Sequence, residues 1–281
     1  MIPKIIHRFW GSKDGNLPNK ESEIGKWFYS QDILQDYGYE IKTYTCDNFD
    51  MAISNYLLQA YALKKWAFVS DYIRLYVLYN EGGIWVDTDV EVFKPFDDLL
   101  DQKYFFSAEY NMVNNSKEVF NPVNIQDWGV LGVESYNPII KQMLDYYNSI
   151  NFIDPDYYIH DKIQVSLQGK QEDTINMNYE NILKQMNIKK QIVSTSLLDY
   201  KNLVNTQSDN IIYLLNTKWL TYVYYNDKNK DDDIICVHHR NGSWINSSQY
   251  LNYLYEYSPI QILSYFIKYK EYINKNKELL K

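Results

Sequence analysis

Cysteine is nearly absent from this chain of 281 residues: Cys46 and Cys236 stand far apart, with no Cys-x-x-Cys and no Cys/His spacing around them. That excludes a disulfide framework and a zinc knuckle, and reduced cytosolic thiols are the expectation. Long apolar runs are missing as well. No stretch of about 18 apolar residues occurs, so no membrane-spanning helix is expected. The N-terminal run from Met1 to Arg8 is broken by Pro3, Lys4, His7 and Arg8, which does not read as a secretory signal core. Positive charge is in deficit, with 28 Lys and Arg against 36 Asp and Glu for a net charge of -8. A protein that tracks nucleic-acid phosphates normally shows the opposite balance. No internal repeat is present.

What remains is an ordinary globular composition, 46% hydrophobic and 23% charged, which excludes collagen-like and wholly disordered chains. The length suits one large or two small domains with a sizeable core. Aromatic residues reach 17%, with 29 tyrosines. Either a sugar-stacking surface or a codon bias favouring Tyr, Asn, Ile and Lys accounts for that.

Lys4 to Trp10 reads as a buried strand ending at Gly11. A loop follows to Asn19, then a helix to about Asp36 and a second strand over Tyr39 to Thr45. Strand, helix and strand in that order predict a parallel βαβ start, with ligands beyond the carboxyl ends of the strands and Trp10 beside them. From Gln59 to Asn80, Trp66, Val69, Ile73, Tyr76 and Val77 keep helical spacing, and Gly82-Gly83 should end that helix as a left-handed cap. The alternation from Ile84 to Phe93 predicts one continuous strand. Ile84, Val86, Val90 and Val92 fall on one face, Trp85, Asp87, Asp89 and Glu91 on the other, and Pro95 stops it. A last strand is expected over Ile234 to His239, and an amphipathic Tyr/Lys-rich helix after Pro259.

Two carboxylates at i and i+2 on one strand face lie roughly 6 to 7 Å apart and repel unless a cation joins them. Asp87 and Asp89 stand in that relation, and oxygen ligands of this kind suit Mg²⁺ or Mn²⁺ shared with a substrate diphosphate. Asp154-Pro155-Asp156 and Asp231-Asp232-Asp233 read instead as solvated loop charges. The stretch from Asp227 resembles a calcium loop only superficially, because Asp232 stands where the turn needs Gly and His238 where Glu is needed. On the preceding helix, Asp71 and Arg74 form an i, i+3 pair. It is either an ordinary helix ion pair or a polar grip retained for a ligand. His7 reads as a structural histidine.

Taken together, Phe68-Val69-Ser70-Asp71-Tyr72-Ile73-Arg74-Leu75, Gly82-Gly83-Ile84-Trp85-Val86-Asp87-Thr88-Asp89, Ile2-Pro3-Lys4-Ile5-Ile6-His7-Arg8-Phe9-Trp10 and His238-His239-x-x-Gly242-Ser243-Trp244 resemble the DXD-motif sugar transferases. These are the glycosyltransferases of family 32, often encoded among surface-polysaccharide genes and distantly similar to the glucosyltransferase domains of large clostridial toxins. The resemblance covers residues 1 to 100 and 234 to 244 well and the middle of the chain poorly.

The resemblance implies an α/β, GT-A-like single domain with a mixed, mainly parallel central sheet and helical additions. Residues 1–250 would be catalytic, and residues 251–281 an amphipathic helical segment packed on them. It also implies a sugar-nucleotide donor, most simply a UDP-sugar, a divalent metal, Mn²⁺ or Mg²⁺, and hexose transfer with retention to a saccharide or lipid-linked saccharide acceptor. Asp71, Arg74, Asp87 and Asp89 would be catalytic. Trp10 would stack the nucleobase, with Asp71, Arg74, Trp85, Asp87, Ser243 and Trp244 also on the donor. Asp87, Asp89 and His239 would hold the metal, Asp89 foremost, with the choice between His239 and the adjacent His238 left open. Trp85 stands where Tyr is common. In the middle block Trp128 of Gln126-Asp127-Trp128-Gly129 stands where the family has Asn. No second carboxylate is placed as a covalent nucleophile, so a front-face route is expected, with Asp127 or Glu134 as the candidates for a place under the sugar ring.

Two rivals share parts of this pattern. A toxin-like transferase modifying proteins would normally carry delivery segments, and none is seen. A non-catalytic carbohydrate-binding protein would use the aromatics but has no need of Asp71, Arg74, Asp87 and Asp89 together. The expected location is the cytoplasm, with residues 259–281 offering a basic helical face to an anionic membrane as the alternative to packing on the domain.

Overall fold

The structure is a computed structural model that describes residues 1–12, 15–62, 64–110, 122–152, 175–193, 196–206, 211–216, 219–220 and 234–239. Ser243, Trp244, the two acidic loop runs and the C-terminal segment 251–281 lie outside the described residues.

The apolar run Ile5–Phe9 forms β1, and Glu40–Tyr44 forms β2, paired in parallel so that Ile6 faces Ile41 and Phe9 faces Tyr44. Between them runs helix α1, Glu23–Ser30, begun by Ser22, whose side chain accepts from the Gly25 N–H. It tightens into a 3₁₀ segment over Gln31–Tyr37 and stops at Gly38 in the left-handed conformation. Arg8 ties this unit together. Its guanidinium donates to Thr43, the Phe28 carbonyl and Asp32.

The helix expected over Gln59–Asn80 is two helices, α2 (Asn55–Ala62) and α3 (Trp66–Glu81), with Lys64 at φ 57° between them. The break lets α2 pack against α3 and α4 (Pro138–Ser149): Tyr56 meets Tyr72 at 6.5 Å and Tyr147 at 4.7 Å. Gly82 and Gly83 then turn the chain from α3 into β3, Gly83–Val86, at φ 67° and 99°. Gly82, with ψ -160°, takes a glycine-only conformation rather than the left-handed helical one expected. A Cβ on Gly83 would stand 2.7 Å from the Ile5 carbonyl, so the close approach to β1 also requires glycine.

The continuous strand expected from Ile84 to Phe93 is interrupted. β3 ends at Val86, and a turn closes from the Asp87 carbonyl to the Val90 N–H at 3.1 Å. Val90–Val92 then forms β4 in a separate two-stranded sheet with β9, Cys236–His238. All four residues of β3 are buried. Both of its faces therefore meet protein, and Trp85 is a core residue rather than one on a solvent face.

The remaining strands are β5 (Tyr104–Tyr110), β6 (Pro122–Val133), β7 (Lys189–Val193) and β8 (Ile211–Leu215). Helices α5 (Ile175–Gln185) and α6 (Leu197–Thr206) lie among them. The main sheet runs β2-β1-β3-β6-β5-β8-β7. β6 is antiparallel to both of its neighbours and the other four pairings are parallel. The expectation of a mixed, mainly parallel α/β sheet holds. Neither Cys46 nor Cys236 forms a disulfide among the described residues. No helix among the described residues is long and apolar enough to cross a membrane.

His7 is structural, as read from the sequence. It is fully buried, with Nε2 donating to the Gly82 carbonyl at 2.8 Å and Nδ1 accepting from the Tyr44 hydroxyl at 2.9 Å. Burial holds it neutral, pushing its pKa down to about 4.

Candidate active site

β1 and β3 are parallel neighbours, so Trp10 and Asp87 leave the sheet at the same edge. The turn after β3 presents Asp87 and Asp89 there, α3 contributes Asp71 and Arg74, and β9 brings His238. The turn is held from beneath by Gln31, which is fully buried and whose side-chain amide donates to the Asp87 and Val90 carbonyls at 2.9 and 3.0 Å. Ser30 accepts from the Val92 N–H at 3.0 Å, so the α1 unit fixes the path of β4.

Asp87 is held on one oxygen. Its Oδ1 accepts from the Arg74 guanidinium at 3.0 Å and from the Trp85 indole N–H at 2.6 Å. Arg74 also donates to Asp71 at 3.2 Å and lies 5.2 Å from the centre of the Trp85 ring. Its own Nε is buried and has no partner among the described residues. A buried cation with a spare donor is costly unless a ligand or water completes it. Burial pushes the Asp71 carboxyl up to about 6, with the Asp87 charge adding to the rise and Arg74 opposing it. Burial also raises Asp87, against the pull of Arg74, and the neighbouring Asp89 charge adds to that rise.

Asp89 faces His238, with Oδ1 and Nε2 3.4 Å apart, and the other ring nitrogen of His238 is 3.3 Å from Asp127. Burial disfavours the imidazolium, yet Asp127 and Asp89 outweigh it and carry the His238 pKa to about 10. One ligand atom each from Asp87, Asp89 and His238 lie within 4.8 Å of one another.

The structure therefore brings together Asp71, Arg74, Asp87 and Asp89, but it differs from the expectation at His239 and Trp85. His239, expected at the metal, turns away from it. Its Nε2 is 2.9 Å from Glu91, and its ring stacks on Trp27 at 4.0 Å, while its main-chain N–H donates to the Asp89 carbonyl. Adjacent strand residues point to opposite faces, so only one of the two histidines can join the aspartates, and the β4–β9 register selects His238. Trp85, expected on the donor, is 1% exposed and spends its N–H on Asp87. Trp10 is partly exposed at the end of β1, but its indole N–H donates to the Asn16 carbonyl at 2.8 Å and its ring meets the edge of Phe28.

Neither carboxylate considered for a place under the sugar is free to take it. Asp127 is committed to His238 and to the Gly129 N–H, and Glu134 follows the end of β6 that pairs with the start of β3, bound to the N-terminal amine. Trp128 packs edge-on against Tyr179 in the core. Gln31 was not singled out from the sequence and nothing local marks it, whereas the choice between His238 and His239 for the metal was left open there with His239 preferred.

A family model described as a glycosyltransferase sugar-binding region containing a DXD motif matches residues 18–106. An uncharacterized glycosyltransferase of Acanthamoeba polyphaga mimivirus is 29% identical over 145 residues, 50% of this chain and 53% of that protein. Inositol phosphoceramide mannosyltransferase 1 of Schizosaccharomyces pombe is 25% identical over 127 residues, 42% of this chain and 38% of that protein. The chain thus spans about half the length, or less, of the curated relatives it matches. The solved structure of a glycosyltransferase involved in the glycosylation of the major capsid of PBCV-1 is 13% identical, covering 85% of this chain and 95% of that one with a TM-score of 0.37. Asp71, Arg74, Asp87 and Asp89 all lie within residues 18–106, the part of the chain that matches the DXD-motif glycosyltransferase sugar-binding region.

Proposed function

We propose that this chain is a metal-dependent, retaining glycosyltransferase of GT-A-like architecture that moves a hexose from a sugar nucleotide, a UDP-sugar in the first instance, to a saccharide hydroxyl. The observation that carries the reading is the convergence of Asp87, Asp89 and His238 within 4.8 Å, beside an arginine whose buried Nε has no partner among the described residues. A carbohydrate-binding surface needs neither. The acceptor, a saccharide of the surface-polysaccharide kind, rests on the family resemblance.

Two carboxylates and one imidazole fit a divalent cation, and the imidazole makes the set softer than the all-oxygen shell Mg²⁺ demands, which favours Mn²⁺. Asp89 and His238 would be its principal ligands, with Asp87 completing the site through the oxygen that Arg74 and Trp85 leave open. A cation bound there offsets the negative charge of the leaving diphosphate. Arg74 donates its spare N–H to a donor hydroxyl and Asp71 accepts from another, which orients the sugar. In the transfer, the bond from the anomeric carbon to the diphosphate oxygen breaks and the bond to the acceptor oxygen forms on the same face. The acceptor proton passes to the departing phosphate oxygen. With Asp127 and Glu134 engaged elsewhere, the front-face route is the one these residues support.

The test is incubation of the full chain with a panel of UDP- and GDP-sugars and Mn²⁺. Slow hydrolysis of one donor that stops on chelation is expected. Hydrolysis of none would overturn the transferase reading, and hydrolysis indifferent to chelation would overturn the metal.

A further inference from the structure

One buried carboxylate in the site has no role in the proposed reaction. The Asp127 side chain is 3% exposed, and a carboxylate is not left in such a place without work for its oxygens. Its Oδ1 accepts from the Gly129 N–H at 2.7 Å. Its Oδ2 faces Nδ1 of His238 at 3.3 Å, while Nε2 on the far side of the same ring faces Asp89 at 3.4 Å. The imidazole is strung between a carboxylate of the metal cluster and a carboxylate behind it.

The backbone is shaped for that arrangement. A Cβ on Gly129 would stand 2.5 Å from Cε1 and 2.6 Å from Nδ1 of His238. The bare glycine is what allows the ring to lie against β6 with Nδ1 turned to Asp127. A neutral imidazole carries one N–H, and the partner of one nitrogen decides whether the other keeps a lone pair. An ionised carboxylate only accepts. Asp127 therefore keeps an N–H on Nδ1, and Nε2, the nitrogen facing Asp89, is the one that can give up its proton to a cation.

We propose that Asp127 is a positioning residue that fixes the orientation and tautomer of His238, so that Nε2 is presented to a divalent cation held with Asp87 and Asp89. The inference rests on the metal reading above. Carboxylates placed behind a ligating histidine in this way tune metal affinity as well as geometry.

The test is Mn²⁺ titration of the full chain by electron paramagnetic resonance, with and without UDP, for the unaltered protein, Asp127→Asn, His238→Ala and the double variant. Asparagine keeps an oxygen for the Gly129 N–H but turns an N–H₂ group toward Nδ1, which forces the ring proton onto Nε2. Mn²⁺ affinity should fall about 10- to 100-fold in Asp127→Asn, and the same substitution should cost nothing further once His238 is alanine. Unchanged affinity in Asp127→Asn, or an equal loss in both backgrounds, would overturn the positioning role. Absence of Mn²⁺ binding by the unaltered protein would instead remove the metal reading on which it rests. Should Asp127→Asn fail to fold, imidazole nitrogen NMR of the unaltered chain with Mg²⁺ decides the matter: the proton of His238 on Nδ1 is expected, and its presence on Nε2 would refute the proposal.

Discussion

Gln31 and Asp87 are joined by a hydrogen bond of 2.9 Å from a buried side-chain amide to a main-chain carbonyl. The same amide reaches the Val90 carbonyl at 3.0 Å, so one side chain spans the turn that displays both aspartates. Removing it strands two buried acceptors. Gln31→Met, similar in shape, should lose about 2 kcal/mol of stability and weaken Mn²⁺ binding as the turn loosens. Urea denaturation and the Mn²⁺ titration check the two effects separately, and tight binding in a destabilised variant would show that the turn holds its shape without Gln31.

How far the site was legible can be followed along this same segment. α3 and the glycine pair were readable because a 3.6-residue apolar period and a positive-φ junction are local properties of the chain. The turn at Asp87 was not, because Val86 and Val90 keep a period of two straight through it although they belong to different sheets. Only the bond from Gln31, 56 positions away in sequence, and the pairing of β4 with β9 separate them. For the same reason the adjacent histidines could not be told apart. The register that sets Val90 opposite His238 is tertiary information. The helix break at Lys64 escaped notice because apolar residues continue on both sides of it.

Asp89→Asn should abolish donor hydrolysis while leaving the fold nearly as stable as before. Removing the Asp89 charge relieves its repulsion of Asp87, which offsets the lost pairing with His238, and His238 keeps Asp127. Hydrolysis at saturating Mn²⁺ and a melting curve read the two effects. Near-normal turnover would remove Asp89 from the metal site.

Trp10→Ala addresses the nucleobase. The indole is partly exposed at the end of β1 but already edge-packed on Phe28 and bonded to Asn16, so a free face for stacking is the point at issue. Loss of stacking weakens UDP binding by about 1 to 3 kcal/mol. Calorimetry giving unchanged affinity would assign Trp10 to the wall of the domain alone.

Asp71 makes stability depend on pH in a direction opposite to most carboxylates. Its folded pKa is raised to about 6 by burial and by Asp87, against Arg74, so ionisation costs the folded state. The free chain should be more stable below pH 4 than above pH 6 by about 2 kcal/mol from this residue. Asp71→Asn should remove that slope and gain stability at pH 7.5 while losing donor hydrolysis. Parallel urea curves for the variant and the unaltered chain across pH 4 to 7 would contradict it.

His7 works in the other sense. Burial lowers its folded pKa to about 4 from an ordinary 6.5, so the folded state favours the neutral ring. The stability it contributes is complete above pH 6.5 and is lost as pH falls toward 4, to a total of about 3 kcal/mol. In His7→Gln the amide can donate to the Gly82 carbonyl and accept from Tyr44 without ever ionising. The variant should therefore start about 1 kcal/mol less stable at pH 7.5 and lose much less on acidification. Asp71 titrates in the same window but identically in both proteins, and the contribution of His238, whose pKa is raised to about 10, changes only above pH 6.5. The difference between the two stability curves between pH 6.5 and 4 thus isolates His7, and curves that stay parallel there would mean that the ring is protonated in the folded chain.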